Sequence, residues 1–297
     1  MKLLITGLNG FVAGSILAHA RKNWEVHGVD ITESIDLPSD IYSHLLDLTD
    51  RAKFAELFDQ IKPDAVIHTA AIANIDVCEN NQDLAWKVNV EITKTIAELC
   101  QKSNSKLIVC STDTVFDGIK GDYSETDAPN GVNFYAKTKI EAEKIVLGAS
   151  SRNIVARLSL VMGMPVLGKG NSFLADMIDK LKKGETMKFP ANEIRTPLDV
   201  VTLGSALTEL AGSNYEGIVH LSGSTKINRY QMAILIAEHL GLNPDLIEGT
   251  DSNAIAGRAP RPNDASMIND LAGKLLKTPM RTLAEGLELT LKFKLEE

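Results

Sequence analysis

The segment TGLNGFVAG, residues 6–14, decides how this chain folds. It follows the apolar run 3–5, and the spacing of Val12, Ile16 and Ala20 predicts that a helix comes after it. A glycine-rich turn at this place allows a tight bend and leaves backbone N–H groups exposed at the helix start. A glycine pattern alone also fits an ordinary turn, but its place after the first strand favours a dinucleotide site. The residues predicted to bind the cofactor here are Gly7, Asn9, Gly10, Phe11 and Val12.

Short apolar runs alternate with segments of helical spacing along the first 160 residues. The runs predict buried strands at 3–5, 25–30, 65–68, 106–110 and 154–158, and a further one at 218–221. Leu84, Val88 and Ile92, continued by Leu99, predict the apolar face of one intervening helix. Near-continuous apolar strands between helices indicate an α/β fold with a doubly wound parallel sheet.

The regular alternation loosens after about residue 160. Helices are predicted at 172–183, 199–211 and 230–240, with a strand at 187–190. We therefore expect a dinucleotide-binding domain at 1–160 that also receives about 196–222. A smaller, interleaved C-terminal region, 161–195 and 223–297, would bind the substrate. Ligands of such sheets bind in the crevice outside the carboxyl ends of the strands, and this region would close that crevice.

Composition narrows the function classes. The 297 residues are 44% hydrophobic with a net charge of −8, and the absence of a basic cluster argues against a nucleic-acid partner. No apolar run is long enough for a membrane span. Three scattered cysteines without a CxxC pair predict neither disulfides nor a zinc site and favour the cytoplasm. The six histidines lack metal-ligand spacing, so no metal is expected.

Two acidic positions bear on the cofactor. Asp30, followed by Ile31, ends the second strand, where a carboxylate can accept hydrogen bonds from the adenosine ribose and would repel a 2′-phosphate. This favours NAD, with NADP as the alternative. Asp47 and Leu48, after a third strand, are candidates to flank the adenine, although Asp47 equally fits a loop residue that caps the next helix.

The segment NFYAKTK, residues 133–139, places Tyr135 four residues before Lys139 at a predicted helix start. Positions i and i+4 lie on one face of a helix. An ammonium there would stabilise a tyrosinate and lower the tyrosine pKa from about 10 toward working pH. The pair alone is weak, since chance also produces it.

Together with HTAA (68–71) and STDTVFDG (111–118), these motifs resemble those of the extended short-chain dehydrogenase/reductases. HTAAIANIDVCE, LAWKVNVE, YSETDAPN and RPNDASM (261–267) are similar to the dTDP-4-dehydrorhamnose reductase family, over essentially the whole chain. The resemblance implies a Rossmann-type fold, hydride transfer from NAD(P)H and a nucleotide-sugar substrate.

The resemblance also implies roles for individual residues. Thr112, Tyr135 and Lys139 match the catalytic set, in which the tyrosine donates a proton and the threonine fixes the substrate oxygen. Asn89 matches a residue that supports the lysine, although by residue type alone it fits an outward polar position. Ala70 and Ala71 would pack against the cofactor. His68 fits a strand residue better than a catalyst.

The predicted substrate side rests on fewer motifs. Cations for a diphosphate are available at Arg229 and Arg258 as well as at two positions of the predicted site. The residues predicted to bind substrate are Thr112, Asp113, Val115, Phe116, Tyr135, Asn171, Arg195 and Arg261, of which Val115 and Phe116 also fit a core position. Thr114 stands where the family often has an aromatic, Ala13 replaces the third loop glycine, and Ala136 follows the tyrosine where Gly is common.

The leading hypothesis is an NAD(P)-dependent reductase of a nucleotide-linked 4-keto-deoxy sugar. The pair Asp113-Thr114 lacks the glutamate of sugar-nucleotide dehydratases. An NAD-dependent nucleotide-sugar epimerase uses the same three residues and stays open. So does a regulatory role, since the beta subunit of methionine adenosyltransferase resembles this family. The family also implies a homodimer through helices at 84–101 and 135–147.

Overall fold

The computed structural model describes residues 1–34, 37–167, 172–254 and 257–294. The strands are β1 (Lys2–Thr6), β2 (Glu25–Asp30), β3 (Ile41–Leu45), β4 (Ala65–His68), β5 (Lys106–Thr112), β6 (Ile154–Leu158), β7 (Val161–Met162), β8 (Met187–Pro190), β9 (Ile194–Arg195), β10 (Leu198–Asp199), β11 (Gly217–Leu221), β12 (Ile227–Asn228) and β13 (Ile247–Thr250). The α-helices are α1 (Phe11–Ala20), α2 (Arg51–Ile61), α3 (Ile75–Asn80), α4 (Gln82–Trp86), α5 (Ile92–Ser103), α6 (Phe134–Ala149), α7 (Phe173–Lys182), α8 (Val200–Gly212), α9 (Arg229–His239), α10 (Asp270–Leu275) and α11 (Leu283–Lys292).

A seven-stranded sheet forms the centre of the molecule, in the order β3-β2-β1-β4-β5-β6-β11. Every neighbouring pair in it is parallel. The strand order reverses between β1 and β4, which is where doubly wound sheets bind their ligands. The predicted α/β fold with a doubly wound parallel sheet is confirmed.

The apolar runs identify all of these strands except β3. This edge strand carries the burial pattern of a mostly exposed segment, with one buried residue, Ile41. An edge strand next to solvent does not need a continuous apolar run, so its bounds do not show in the sequence.

Helices cover both faces of the sheet. On one face α1 and α8 pack together over Leu3, Ile5 and Ile154. On the other face α2, α5 and α6 bury Phe54 and Val146 against the sheet. The helices packed on both faces of the sheet hold the strands, and therefore the strand ends, in fixed positions.

The C-terminal part has a core of its own. Met162, Met177, Phe189, Ile236 and Leu287 belong to an apolar cluster separate from the sheet core. Between its contributing segments the chain returns to the sheet through α8 and β11. This arrangement supports the predicted interleaved region, while the domain boundaries themselves stay a prediction. Among the described residues no helix is long and apolar enough to cross a membrane.

The predicted apolar face of the helix at 84–101 is wrong at its start. Leu84 is 50% exposed, whereas Ala85 and Asn89 are buried. A π-helical turn, Lys87–Glu91, lies between α4 and α5. Such a turn adds one residue to the helical repeat and shifts every side chain before it to another face.

Close packing of α1 on α8 yields a stability prediction. A Cβ at Gly204 would lie 2.2 Å from Ser15 Oγ and 2.6 Å from the Ser15 carbonyl carbon. We expect Gly204→Ala to lower the free energy of unfolding by about 1–3 kcal/mol, because the helices must move apart. Urea unfolding measures this.

The matched control is Gly148→Ala in α6, where a Cβ meets no atom within 4 Å. There we expect a free energy of unfolding that is unchanged or higher by up to about 1 kcal/mol, since Ala favours helix. Equal effects of the two substitutions would contradict the close-packing argument.

Candidate active site

The glycine loop joins β1 to α1 at the point where the strand order reverses. Gly7 has φ +74°, and a Cβ there would lie 2.9 Å from the Ala70 Cα. The chain after β1 therefore passes directly over the chain after β4, which only glycine permits. Gly10 is the N-cap residue of α1 and has no side chain to cover the first-turn N–H groups. Such N–H groups can bind a phosphate.

Gly14, next to the Ala13 that replaces the third loop glycine, has a packing role. A Cβ at Gly14 would lie 2.7 Å from the Leu167 carbonyl oxygen. Ala13 is fully buried in the core below. The position that requires a small residue is therefore Gly14 rather than Ala13, because a loop crosses α1 at Gly14. Sequence reasoning attached no such role to Gly14.

Asp30 lies beside the glycine loop at the end of β2. Its carboxylate accepts hydrogen bonds from Asn9 N at 3.0 Å, and from Thr32 N at 3.1 Å and Thr32 Oγ1 at 3.0 Å. The Asn9 side chain in turn donates to Thr32 and accepts from Ser34. These bonds hold the acid at the mouth of the loop. Predicted Phe11 and Val12 are half-buried at the start of α1, and the Ile31 side chain is exposed.

The other predicted cofactor residues lie along the same edge of the sheet. Ala70 and Ala71 follow β4 and are half-buried. Asp47 accepts a hydrogen bond from Thr49 N at 2.8 Å, as in a capped turn. Leu48 is buried in the core with Phe54. Asp47 thus lies in a loop, but Asp50 caps the helix that follows, so the suggested capping role of Asp47 is wrong. Its contact with an adenine stays a prediction.

Asn89 is buried on the inner side of the π-helical turn. Its side chain accepts from Ile72 N at 2.8 Å and donates to Ile72 O and to Thr138 Oγ1, both at 3.1 Å. An outward polar position, suggested by residue type alone, is therefore wrong. Asn89 ties the chain after β4 to the helix that carries Tyr135 and Lys139, and its contact is with Thr138.

Helix α6 begins at the segment of Tyr135 and Lys139 because Asn133 caps it. The Asn133 side chain accepts from Ala136 N at 2.8 Å and donates to Pro260 O at 2.9 Å. Tyr135 and Lys139 lie one turn apart on the buried face of α6, with exposed fractions of 8% and 4%. Thr112, at the end of β5, is equally buried.

Burial controls the titration of this set. It raises the pKa of the Tyr135 hydroxyl above its usual range, and the neighbouring Thr112 side chain partly opposes the effect. Burial also lowers the pKa of the Lys139 ammonium. Desolvation is the largest effect on the Tyr135 pKa in the protein alone, and a lowering of that pKa by Lys139 stays a prediction.

A cavity of about 450 Å³ opens beside Thr112 and Tyr135. It lies between the carboxyl ends of the strands and the C-terminal region. Its lining residues are Ala73, Asn74, Ile75, Asp76, Thr112, Asp113, Thr114, Tyr135, Ser159, Leu160, Glu193, Arg195, Arg229, Arg258 and Arg261. The four arginines named in the sequence all line it, together with three acidic residues.

Two ion pairs fix the arginines nearest the predicted catalytic residues. Arg261 binds Asp76 through both guanidinium nitrogens, at 2.6 and 2.7 Å, which lowers the pKa of Asp76 to about 2. Arg195 Nε lies 3.4 Å from Asp113 Oδ2. Burial raises the pKa of Asp113, and Arg195 partly opposes this.

Glu193 organises the remaining cations of the cavity. Its carboxylate lies 3.5 Å from Arg229, 3.8 Å from Arg195 and 3.9 Å from Arg258. Sequence reasoning missed Glu193 and Asp76. Glu193 stands two residues before Arg195, and Asp76 lies within the quoted motif HTAAIANIDVCE, so both were within reach of a search for partners of the arginines.

Two predicted substrate residues have a different placement. Val115 and Phe116 are fully buried in an apolar cluster with Tyr123 and Met267, and they do not line the cavity. Phe116 stacks on Tyr123 with ring centroids 4.1 Å apart, so it has the core role that the sequence also allowed. Asn171 lies outside the described residues. Thr114, in contrast, lines the cavity, and its Oγ1 lies 3.1 Å from Thr112 Oγ1.

No group of His, Cys, Asp and Glu in the described ranges is arranged to hold a metal ion. His68 is buried, with its ring nitrogens 2.7 Å from Thr6 Oγ1 and 3.0 Å from Thr93 Oγ1. This ring is satisfied within the strand, as the sequence suggested.

Comparison with known proteins then places the chain. The family model described as "RmlD substrate binding domain" matches residues 1–295. The chain belongs to that family. A dTDP-4-dehydrorhamnose reductase of Aggregatibacter actinomycetemcomitans is 31% identical over 244 residues, covering 79% of this chain and 78% of its own length. The predicted extended short-chain dehydrogenase/reductase type of NAD(P)-dependent oxidoreductase is thereby confirmed.

Two further relatives are informative. Methionine adenosyltransferase 2 subunit beta of Bos taurus is also 31% identical, over 290 residues that cover 94% of this chain and 85% of the relative. The crystal structure of a dTDP-4-dehydrorhamnose reductase from Bacillus anthracis, in complex with NADP, superposes with a TM-score of 0.87. It is 24% identical over 98% of this chain and 99% of that one, and it confirms the Rossmann-type fold.

The buried histidines predict how stability depends on pH. Burial lowers the pKa of His68 to about 3, and burial next to Arg157 does the same for His220. The unfolded rings take up protons near pH 6.5, while the folded rings do not. We therefore expect the two neutral histidines to contribute their full stability above pH 6.5. The free energy of unfolding should fall as the pH drops from 6.5 toward 3.

Urea unfolding of the wild type and of His68→Gln at pH 7, 6, 5 and 4.5 tests this. The variant should lose part of the slope and keep the part that His220 contributes. Identical slopes for both proteins would show that His68 takes up its proton while folded.

Proposed function

We propose that this protein is a reductase that transfers a hydride from NADH to a nucleotide-linked 4-keto-deoxy sugar. The observation that carries the proposal is the placement of Thr112 and Tyr135 in the wall of an arginine-lined cavity, with Lys139 one turn behind. The family membership supports the reaction class, and the reductase of Aggregatibacter supports a substrate like dTDP-4-dehydrorhamnose.

The residues around the glycine loop fit a dinucleotide. Gly7 and Gly10 leave no Cβ in the space above the loop, and a Cβ at Gly10 would already lie 3.0 Å from Gly7 O. Asp30 and Thr32 supply oxygens and no cation at the end of β2. A 2′-phosphate would be repelled there, so we propose NADH rather than the NADP bound by the Bacillus enzyme.

The protein side chains would handle the proton. When bound, the nicotinamide supplies a hydride to the carbonyl carbon. Tyr135, held neutral by burial, donates its hydroxyl proton to the oxygen, which Thr112 also binds. Lys139 stabilises the tyrosinate that this step leaves. The raised pKa of Tyr135 keeps the proton in place until the negative charge develops on the substrate.

The cavity would recognise the substrate through charge. Its four arginines exceed its three acids by one charge. Arginine pairs well with phosphate oxygens in bidentate geometry. A diphosphate is thus the chemistry that suits this wall. The two threonine hydroxyls and Ser159 can bond the hydroxyls of a sugar.

The experiment that tests the function measures NADH and NADPH oxidation at 340 nm. The substrates are a panel of nucleotide-linked 4-keto sugars generated in place by a dehydratase. Oxidation that depends on one sugar supports the reductase and identifies the substrate. Bound NAD(H) without oxidation for any sugar would contradict it and favour an epimerase, which returns its hydride.

The role of Tyr135 gives the next prediction. Tyr135→Phe removes the proton donor but retains the ring, so kcat should fall by about a hundredfold or more. The affinity for NADH, measured by fluorescence titration, should stay within a few-fold. Tyr42→Phe, on the exposed edge strand β3, is the control and should retain full turnover. Unchanged turnover in Tyr135→Phe rules out the proposed proton donor.

The role of Asp30 is tested through cofactor choice. Asp30→Ala removes the charge that faces the ribose, so the ratio of kcat/KM for NADH over NADPH should fall at least tenfold. Glu33→Gln removes an exposed charge from the same loop and is the control. If both variants change the ratio equally, general electrostatics and not Asp30 sets the preference.

A second function has support from one comparison. The beta subunit of methionine adenosyltransferase 2 matches 94% of this chain at 31% identity, more of it than the reductase does. A regulatory role would need a catalytic partner. Pull-down with a methionine adenosyltransferase from the same source distinguishes the roles, because a reductase has no need to bind it.

The assembly and location are part of the proposal. We propose a homodimer through the segments 84–101 and 135–147, where Leu84, Trp86 and Leu147 are exposed. We also propose a cytoplasmic location, which the three free, buried cysteines support.

A further inference from the structure

Helix α6 carries a third buried polar residue, Glu143, on the same face as the proposed catalytic pair. Tyr135, Lys139 and Glu143 are spaced by four, so they share one face of the helix. All three are buried, and Glu143 is only 3% exposed. A carboxylate that deep in a protein needs a reason, because burial of a charge is costly.

Two neighbours hold the Glu143 carboxylate in place. Arg157 of β6 donates to it through Nη2 at 2.8 Å and through Nε at 3.1 Å. Ser111, next to Thr112 on β5, donates at 2.5 Å to Oε1, the oxygen that also accepts from Arg157 Nε. Arg157 is itself fixed over the Phe116 ring at 5.1 Å and beside His220. The carboxylate thus has a single orientation.

Lys139 faces groups that are otherwise neutral at pH 7. Burial raises the pKa of the Cys110 thiol to about 12 and raises that of Cys78, and His68 is neutral with a pKa near 3. Among the described residues, the titratable groups that act on Lys139 are His68 of β4, Cys78 of α3, Cys110 of β5 and Glu143 of α6. Glu143 is therefore the one anion in this set.

The Lys139 ammonium has no hydrogen bond to any of the described residues. Without a counter-charge, its burial would favour the neutral amine, which cannot stabilise a tyrosinate. Glu143 acts on Lys139 in the opposite direction and favours the charged form. Tyr135, the exposed Lys137 and Lys144 and the half-buried Glu141 complete the charged or titratable groups on this part of α6.

We propose that Glu143, clamped by Arg157 and Ser111, is a positioning residue whose fixed negative charge keeps Lys139 protonated for its role beside Tyr135. The consequence for turnover rests on the proposed reductase function. The charge state of Lys139 does not, and it can be measured without substrate.

The direct test is NMR titration of the full chain labelled with 13C at the lysine ε carbon. The Lys139 signal is identified by its absence in Lys139→Arg. Glu143→Gln removes the charge but keeps the shape, and the pKa of Lys139 should fall by about one unit or more. Glu141→Gln, on a different face of the same helix, should leave it unchanged.

A second variant guards against loss of folding. Glu143→Gln alone leaves Arg157 as a buried charge without its partner, which can unfold the protein. The double variant Glu143→Gln/Arg157→Met removes both charges. It should fold, and it should show the same lowered pKa of Lys139. An unchanged Lys139 pKa in the folded double variant overturns the proposal and leaves Glu143 as a structural ion pair.

Turnover gives an independent readout. If the protein reduces a sugar, the alkaline limb of the kcat profile should move to lower pH in the double variant by the same shift. A lowered Lys139 pKa with no activity in the wild type would separate the two proposals, because Glu143 then controls the lysine in a protein that is not a reductase. A lowered pKa with an unmoved alkaline limb overturns the role in turnover.

Discussion

The parallel register of β1, β2, β4 and β5 is the constraint on which the rest of the structure depends. All four strands run the same way, so their carboxyl ends meet at one edge of the sheet. The strand order reverses between β1 and β4, and this opens a crevice at that edge. Gly7 lies close to Ala70 at the bottom of the crevice. Asp30 and Thr112 reach the same edge because each ends a strand of this register.

Desolvation is the second principle, and it dominates the titration of three buried groups of the site. Tyr135, Lys139 and Asp113 are all shifted toward their neutral forms by burial. The fold offsets this for Asp113 through Arg195, and the proposed partner that offsets it for Lys139 is Glu143. Buried charges of this kind contribute little net stability, since the attraction within each pair only offsets the free energy needed to remove the charges from water. Their presence therefore points to function and not to stability.

The sequence predicted the parts of the site whose chemistry requires a local spacing. The glycine loop, Asp30 and the pair Tyr135 and Lys139 each depend on a few adjacent residues, and the structure brings them to one crevice. The position of Leu84 was wrong because a π-helical turn shifts the helical repeat by one residue, and an apolar pattern does not reveal such a turn. Val115 and Phe116 belong to a cluster that is completed by Met267, about 150 residues later in the chain.

Only the arginines of the charged cluster could be predicted from the sequence, because the contacts that complete the cluster join separate parts of the chain. Four arginines were visible as cations, but Glu193 and Asp76, which orient them, are partners only in three dimensions. Asp76 belongs to α3 on the sheet side, whereas Arg261 belongs to the C-terminal segment. Their bidentate pair is thus a bond between the two parts of the molecule as well as a feature of the cavity. A substrate that draws Arg261 toward a phosphate would weaken that bond, so binding and the closeness of the two parts are linked.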